Sequence, residues 1–486
     1  MNIEDLEPKI VWDFFHQITQ VPRPSGKEER IIAFLESFAK EHGLEYKKDE
    51  VGNILIRKPA TAGRENRPSV ILQSHVDMVC EKNADTVFDF DKDPIRTVVD
   101  GNWVRAEGTT LGADNGIGVA TELAILASDD IEHGPLECLF TVDEERGLTG
   151  ANAIKPGFMN GKILLNLDSE DEGELFIGCA GGGNLYGEIK YELMTPPSDI
   201  AYFRFEVKGL KGGHSGSDIH LGLGNANKVL ARFLYCLMMP ATRFHVYLHS
   251  FKGGNLHNAI PREATAVVGI PSKLKEEVRV LLNHFIVDVE SELKQVDPGF
   301  RMEMSSVETP EPNSCLNAKN TCELIYCLNA CPHGVLAMSH DMPGLVETST
   351  NLAAVNLEEG LLKITTSQRS SLGAGKRAAA IQVTSAMRLA DLIVTQSEGY
   401  PGWAPNPQSP ILKLAVETYK QLFGKEPAVK AIHAGLECGL FLAKYPDLDM
   451  ISFGPTLRDV HSPNERIQID TVGRWWKHLL ELLRHV

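Results

Sequence analysis

The feature that most limits the fold of this chain is a recurring element: a short apolar run rich in branched side chains that ends in ionisable residues. Helical segments follow these runs, and strands that alternate with helices are typical of an α/β sheet. Ligands of such sheets bind beyond the carboxyl ends of the strands, so the ionisable ends of the runs are candidate site residues. The runs and their ends are Ser69–Gln73 with His75 and Asp77, Leu136–Val142 with Glu144 and Glu145, Ile163–Leu167 with Asp168, and Met450–Gly454 with His461.

The pattern changes between about residues 187 and 398. Period-two strands such as 202–207 alternate there with amphipathic helices such as 225–237. This change predicts an α+β unit, 187–398, inserted between the two parts of an α/β unit, 1–186 and 399–486. A length of 486 residues with 43% hydrophobic side chains is sufficient for two large cores.

The first 45 residues are predicted to be mainly helical. Ser25-Gly-Lys-Glu is a capping-box pattern, and Ile31, Leu35 and Phe38 follow it at helical spacing. Gly43 marks the predicted end of that helix.

Charge and cysteine content restrict the partners and the compartment. The 65 acidic and 48 basic side chains give a net charge of −17, which argues against a nucleic acid or an anionic membrane as partner. The first seven residues lack the basic and apolar regions of a secretory signal, and the apolar stretch Val229–Met239 is too short to cross a bilayer. None of the nine cysteines forms a Cys-x-x-Cys pair, which favours reduced thiols. We therefore predict a cytoplasmic protein.

Three familiar motifs are incomplete in this chain. Gly373–Lys376 lacks the first glycine of a phosphate-binding loop, and Gly112, Gly116 and Gly118 do not have dinucleotide-fold spacing. The stretch 213–217 resembles a serine-hydrolase elbow around Ser215 but ends in serine instead of glycine. Turn or cap chemistry is the better interpretation of all three, and a serine hydrolase at Ser215 is retained only as a weak alternative.

The ionisable residues at the predicted strand ends, together with an aspartate in a turn-like Asp-Asn-Gly, suit metal binding. Imidazole nitrogen and carboxylate oxygen are good ligands for zinc, cobalt or manganese. Two histidines and three carboxylates are too many for one open catalytic zinc and suit two metal ions that share a carboxylate. An aspartate two residues after a ligand histidine can fix its tautomer, and one member of a Glu-Glu pair can act as a base. The residues concerned are His75, Asp77, Asp114, Glu144, Glu145, Asp168 and His461.

Motifs along essentially the whole chain resemble the co-catalytic zinc peptidases, the family that includes aminoacylase, peptidase T and carnosinase. The longer motifs are similar to those of bacterial cytosolic members that cleave aminoacyl-histidine dipeptides. The metal-site motifs are Ser-His-Val-Asp (74–77), Thr-Leu-Gly-Ala-Asp-Asn-Gly (110–116), Thr-Val-Asp-Glu-Glu (141–145) and Asn-Leu-Asp (166–168); the longer motifs are 208–216, 258–263, 433–439 and 461–463.

The resemblance implies a role for each metal-site residue. Asp114 is expected to bridge two zinc ions, with cobalt or manganese as substitutes. His75 and Asp168 would complete one metal site, and Glu145 and His461 the other. Glu144 is then the general base and Asp77 the residue that orients His75. The fold implied is a catalytic domain with a central mixed β-sheet flanked by helices.

The resemblance also implies that the inserted unit is a lid and the interface of a homodimer. His214 matches the lid histidine that polarises the scissile carbonyl, often from the partner subunit. Arg369 and Asn258 match positions that bind the carboxylate end of the substrate. A free substrate amine needs an anionic partner, for which Glu437 is a candidate; a helix-terminal charge is the other interpretation of Glu437.

The function that follows is a metallo-dipeptidase for Xaa-His dipeptides such as β-alanyl-histidine, with a small peptide as substrate and two zinc ions per subunit. An aminoacylase or desuccinylase of the same family is the nearest alternative. An inactive relative that serves as a metal-binding scaffold is the alternative from a different class.

Overall fold

Two compact units make up the chain. The structure is a computed structural model that describes residues 2–239 and 245–486. Unit 1 comprises Met1–Cys179, Trp403–Ala431 and Leu436–Val486, and unit 2 comprises Ala180–Gly402 and Ile432–Gly435. The first predicted boundary, between residues 186 and 187, falls inside a strand, 181–190, that pairs entirely within the sheet of unit 2. The structure therefore moves that boundary to 179/180 and the second one from 398/399 to 402/403.

Unit 1 is an α/β unit whose helices and strands alternate along most of its length. Its helices are α1 Lys9–Thr19, α2 Glu29–Glu41, α3 Ala113–Ala127, α4 Thr149–Ala153, α9 Pro410–Phe423, α10 Glu437–Lys444 and α11 Ile469–His485. Its strands are β1 Glu45–Lys48, β2 Ile54–Lys58, β3 Val70–His75, β4 Thr97–Asp100, β5 Trp103–Ala106, β6 Leu136–Thr141, β7 Ile163–Asn166, β8 Glu174–Cys179, β22 Ala428–Ile432, β23 Asp449–Ser452, β24 Leu457–Arg458 and β25 Arg466–Gln468.

The main sheet of unit 1 has eight strands in the order β1-β2-β6-β3-β7-β23-β8-β22. The four central strands β6, β3, β7 and β23 are parallel, and their outer neighbours β2 and β8 are antiparallel to them. Every residue of β3 and β6 is buried, as expected for parallel strands covered on both faces. The sheet is therefore mixed, and the carboxyl ends of its four parallel strands meet at one edge.

Helix α2 confirms the predicted periodicity but not the predicted capping box. Ile31, Leu35 and Phe38 are buried, and Gly43 has a positive φ of 63° just beyond the helix end. The Ser25 hydroxyl does not cap the helix; it donates to the carbonyl oxygen of Met78 (3.2 Å). A contact distant in sequence has taken the place of the local one.

Unit 2 is an α+β unit built on one antiparallel sheet. Its helices are α5 Ala226–Met238, α6 Lys275–Leu293, α7 Ala318–Ala330 and α8 Gly373–Arg388. Its strands are β9 Gly181–Lys190, β10 Leu193–Met194, β11 Ile200–Lys208, β12 Gly213–His214, β13 Tyr247–Gly253, β14 Ala259–Ile260, β15 Ala264–Pro271, β16 Arg301–Val307, β17 Cys315–Leu316, β18 Gly334–Met338, β19 Val346–Glu358, β20 Leu361–Ser370 and β21 Ile393–Gln396.

The large sheet of unit 2 runs in the order β16-β11-β15-β13-β19-β20-β9-β21, with β18 paired to β19. Aromatic rings join the sheet to its helices: Phe205 of β11 lies 4.9 Å from Phe233 of α5, which lies 5.3 Å from Phe285 of α6, ring centre to ring centre. The small hairpin of β12 and β14 pairs His214 with Ala259. Within the described part of the chain, no helix has the length and apolarity needed to cross a bilayer.

One buried side chain in unit 1 fixes the backbone that enters α3. The Glu465 carboxylate accepts four backbone N–H groups: Oε2 accepts from Leu111 (2.7 Å) and Gly112 (2.9 Å), and Oε1 from Ala113 (2.7 Å) and Asp114 (3.2 Å). These N–H groups precede or begin the helix, where they have no intrahelical acceptor. Glu465 therefore determines where the first turn of α3 lies.

Glu465→Gln should destabilise unit 1. The new amide would place N–H donors against two backbone donors, so the free energy of unfolding should fall by about 2–4 kcal/mol, the loss of one or two hydrogen bonds to a charged group. Urea denaturation of wild type, Glu465→Gln and the exposed control Glu41→Gln would measure this. Equal stability of the two variants would contradict the role given to Glu465.

Candidate active site

The carboxyl ends of the parallel strands in unit 1 carry most of the candidate site. His75 is the last residue of β3, Glu144 and Glu145 follow the end of β6, and Asp168 follows the end of β7. These three strands are neighbours in the sheet, so their ends present side chains to one place. Asp114 reaches that place from the first turn of α3, and the structure brings it together with the strand-end residues.

The Asp114 carboxylate lies between two imidazoles. Its Oδ1 is 3.2 Å from Nε2 of His75, and its Oδ2 is 3.2 Å from Nε2 of His461. His461 is presented by a loop and has a φ of 59°, in the left-handed region that disfavours residues with a Cβ. Each oxygen of one carboxylate thus faces a different histidine.

Each histidine has a second carboxylate beside it. Asp168 Oδ1 lies 3.4 Å from His75 Nε2, and Glu145 Oε2 lies 3.0 Å from His461 Nε2. The cluster therefore consists of two sets, His75 with Asp168 and His461 with Glu145, that share Asp114. His75, Asp114 and Glu145 each offer one ligand atom, a ring nitrogen or a carboxylate oxygen. These three atoms lie within 4.8 Å of one another, which is close enough to hold an ion.

Electrostatics in this cluster favour positive charge. Hydrogen bonds to Asp114 and Glu145 raise the pKa of His461 to about 11, against the opposing effect of burial. Burial alone would raise the pKa of Asp114, but His461 and His75 lower it below its usual range. Burial raises the pKa of Asp168 to about 6 despite the neighbouring His75. A field that holds protons on imidazoles also suits a divalent metal ion, which would displace those protons, so the residues fit the metal pair that the sequence predicts.

Asp77 contacts both His75 and the backbone of the Glu144–Glu145 turn. Its Oδ1 lies 3.4 Å from His75 Nδ1, and its two oxygens accept the backbone N–H groups of Glu144 (3.0 Å) and Glu145 (3.3 Å). Burial would raise the pKa of Asp77, but the hydrogen bond and charge of His75 and the Glu144 amide lower it to about 2. An ionised Asp77 can hold His75 with its proton on Nδ1 and its Nε2 directed at the cluster.

Glu144 is a half-buried carboxyl group beside the cluster. Burial raises its pKa well above the ordinary glutamate value; the charge of His75 opposes this, and those of Asp168, Glu437 and Glu145 add to it. A carboxyl group whose pKa is raised is suited to exchange protons with a reacting molecule.

Two supporting residues were not identified from the sequence. The buried Arg23 guanidinium donates to the carbonyl oxygens of Val76 (3.0 Å), Asp77 (3.1 Å) and Gly112, which ties the His75 segment to the Asp114 loop. Asn115, joined to Asp114 by a cis peptide bond, donates to Asp168 Oδ1 (2.5 Å). An Asn next to Asp114 was visible in the motif, but nothing local to Arg23 indicates its contacts.

Glu437 is the candidate whose position departs most from its predicted substrate role. It is the first residue of α10, and its side chain is 0% exposed. Its Oε2 accepts hydrogen bonds from Gln73 (2.6 Å) and Thr141 (2.9 Å), and burial raises its pKa to about 7. With no accessible surface, Glu437 fits the helix-terminal interpretation better than contact with a substrate amine.

The three remaining candidates come together within unit 2. Arg369, on β20, places Nη2 at 3.5 Å from Nε2 of His214, on β12. The exposed Asn258 immediately precedes β14, and its carbonyl oxygen accepts the backbone N–H of Ser215 (2.8 Å). Arg369 is 7% exposed and also donates to the hydroxyl of Tyr400 (3.1 Å).

Comparisons with known proteins give the same family as the motifs. The model of peptidase family M20/M25/M40 matches residues 71–485. The cytosol non-specific dipeptidase of Escherichia coli (strain K12) is 44% identical over 485 residues, which are 100% of this chain and 99% of that protein.

Solved structures agree with this relationship. The crystal structure of aminoacylhistidine dipeptidase from Vibrio alginolyticus superposes with a TM-score of 0.94 at 42% identity, over 100% of this chain and 98% of that one. A tripeptidase from Staphylococcus aureus shares the fold. It is 15% identical and superposes with a TM-score of 0.57, over 99% of this chain and 98% of that one. These matches confirm the predicted α/β fold class and the predicted family: the chain belongs to peptidase family M20/M25/M40.

Proposed function

We propose that this protein is a metal-dependent dipeptidase in which Asp114 bridges two metal ions. The observation that carries the proposal is the position of the Asp114 carboxylate, with one oxygen 3.2 Å from His75 and the other 3.2 Å from His461. Dipeptidase is the activity named for the Escherichia coli relative (44% identical) and the Vibrio relative (42% identical), which confirms the predicted class of enzyme.

The donor set supports zinc as the metal, with cobalt or manganese as substitutes. Each set offers one imidazole nitrogen, one carboxylate and one oxygen of Asp114, and three protein ligands are the usual number at a catalytic zinc that keeps a position open. A bound metal pair supplies a water molecule that loses its proton near neutral pH and a Lewis acid for the carbonyl oxygen.

Within this scheme the protein's own residues handle protons and orientation. Glu144 accepts a proton from the attacking water on a carboxylate oxygen and passes it to the nitrogen of the leaving amine. Asp77 holds the imidazole of His75 and the backbone of Glu144 at the same time, so it aligns a ligand and the base together. Such alignment is needed because proton transfer depends on hydrogen-bond distance.

We infer that the substrates are dipeptides, including Xaa-His dipeptides such as β-alanyl-histidine. The name of the Vibrio relative includes aminoacylhistidine, whereas the Escherichia coli relative is called non-specific, which argues against a strict requirement for histidine. The buried Arg369 guanidinium can bind the carboxylate at the end of the substrate, beside Asn258. We also propose a cytoplasmic location, supported by the word cytosol in the name of the Escherichia coli relative.

We further propose that the protein is a homodimer that associates through unit 2. The proposal is supported by exposed apolar side chains on α8 and just beyond it, namely Ile381 (65%), Leu389 (82%) and Ile393 (74%). A second copy of unit 2 is the partner that the family resemblance implies.

Glu144→Gln should retain metal and lose turnover. The amide cannot accept the proton from water, so kcat should fall by about 10²–10⁴ while the metal content stays at the wild-type value. Metal analysis and a dipeptide assay measure the two effects.

Asp114→Asn is the matched comparison and should lose both metal and activity. An Asp114→Asn variant with the full wild-type metal content would contradict the bridging role.

Substrate preference separates the dipeptidase from an acylase. With zinc added, we expect cleavage of free dipeptides such as β-alanyl-histidine, slower cleavage of tripeptides and little cleavage of N-acetyl-amino acids. Amino-acid release from a panel of the three classes measures this. Preference for N-acetyl-amino acids would favour the aminoacylase alternative, and activity that survives a chelator would oppose any metal mechanism.

Mixed dimers test whether His214 acts on the partner's substrate. The His214→Ala variant and the Glu144→Gln variant are each expected to be inactive. In a mixed dimer, one subunit keeps Glu144 and the other keeps His214. If His214 acts on the partner's substrate, one of the two active sites in that dimer is complete. Recovery of up to about a quarter of wild-type turnover after dissociation and reassociation would support a histidine supplied in trans. No recovery, with heterodimers demonstrated by mass, would place His214 in its own subunit's reaction.

A further inference from the structure

The imidazole of His214 is held from one side by a tight turn. Three donors converge on its Nδ1: the backbone N–H groups of Gly216 (3.3 Å) and Ser217 (3.1 Å) and the hydroxyl of Ser217 (3.3 Å). Asp218 secures the turn, because its Oδ2 accepts the backbone N–H of His214 (2.8 Å) and its own N–H donates to the carbonyl oxygen of His214 (3.1 Å).

Backbone N–H groups can only donate, so the atom that they face must accept. A proton on Nδ1 would confront the Gly216 and Ser217 donors at hydrogen-bond distance, which excludes both the Nδ1–H tautomer and the imidazolium from this arrangement. Burial and the charge of Arg369 lower the pKa of His214, in spite of Asp218, in agreement with an uncharged ring. The ring proton must therefore be on Nε2.

This conclusion changes the meaning of the contact between His214 and Arg369. Arg369 Nη2 lies 3.5 Å from His214 Nε2, and arginine has no acceptor atom. Two donors that face each other do not form a hydrogen bond, and both require an acceptor between or above them. Arg369 Nε is also buried and has no hydrogen-bond partner within residues 2–239 and 245–486. An oxygen atom can satisfy these donors, and the positive charge of Arg369 favours an anionic one.

Gly216 allows the turn to approach this closely. A Cβ at Gly216 would lie 2.4 Å from the carbonyl oxygen of His433, 3.1 Å from Cε1 of His214 and 3.2 Å from Nε of Arg369. Only glycine leaves room for the backbone between these three groups.

We propose that Ser217 is a positioning residue which, with the amide of Gly216, fixes His214 as the Nε2–H tautomer, so that His214 serves as a hydrogen-bond donor to a substrate oxygen that is or becomes anionic. The tautomer follows from contacts inside unit 2. The substrate oxygen rests on the proposed dipeptidase function, in which the carbonyl oxygen gains negative charge during attack.

The tautomer is measurable in the free protein by nitrogen NMR with histidine-selective labelling, and the signal that disappears in His214→Gln assigns the ring. We expect Nδ1 without a proton and Nε2 with one at neutral pH. A protonated Nδ1 would overturn the proposal. This result does not depend on peptide turnover, so it stands even if the dipeptidase function fails.

Ser217→Asp tests the positioning role. Ser217 is exposed, so the change fits sterically, and it replaces a donor at Nδ1 with an acceptor that draws a proton onto that atom. The backbone donors remain, so the fraction of His214 with a proton on Nδ1 should rise from the wild-type value, whereas Ser291→Asp, which adds the same charge at another exposed position of unit 2, should leave the spectrum unchanged. An unchanged fraction in Ser217→Asp would remove the Ser217 hydroxyl from the proposal.

The donor role is tested by two amide replacements. A glutamine side chain can place its N–H₂ near the position of Nε2, and an asparagine near that of Nδ1. If Nε2–H acts on substrate, kcat in His214→Gln should exceed that in His214→Asn by about tenfold or more, within the 10²–10³ range that one oxyanion donor contributes. Equal losses would contradict the donor role, and an inactive wild type with the expected spectrum would refute the dipeptidase function alone.

Discussion

The shared carboxylate of Asp114 is the constraint on which unit 1 depends. Its two oxygens can face His75 and His461 together only if the backbone before α3 lies in one place, and Glu465 fixes that place through four amide hydrogen bonds. Arg23 ties the same loop to the segment after β3. Buried carboxylates are costly unless paired, so these contacts hold an arrangement that would otherwise relax.

The cluster could be predicted from the sequence because its members lie where parallel strands end. His75, Glu145 and Asp168 each follow an apolar run, and the topology of an α/β sheet brings such ends together whatever the connections between them. Asp114 and His461 do not lie at strand ends. Their imidazole and carboxylate groups indicate metal binding, but only the family resemblance implies that Asp114 bridges the two sites and that His461 completes one of them.

The supporting contacts could not be predicted in this way. Glu465 binds amides about 350 residues away, and Arg23 binds a carbonyl 89 residues away. Their partners are main-chain atoms, which every residue has, so the sequence contains no complementary pattern to detect. Glu437 was a candidate for contact with a substrate amine or for a helix-terminal charge, and in the structure Gln73 and Thr141 donate to one of its oxygens inside the core.

The two units differ in the charge that their clusters favour. In unit 1, three carboxylates surround two imidazoles, and two of them, Asp114 and Glu145, raise the pKa of His461 to about 11, so this cluster favours cations. In unit 2, Arg369 Nε has no hydrogen-bond partner within residues 2–239 and 245–486, and Arg369 Nη2 lies beside His214 Nε2, so this cluster favours an anion. A peptide carries a terminal carboxylate and develops a second negative charge at its carbonyl oxygen during attack, while metal ions supply the cations. The net charge of −17 therefore includes the carboxylates of the unit 1 cluster, whose charge a bound metal pair would offset.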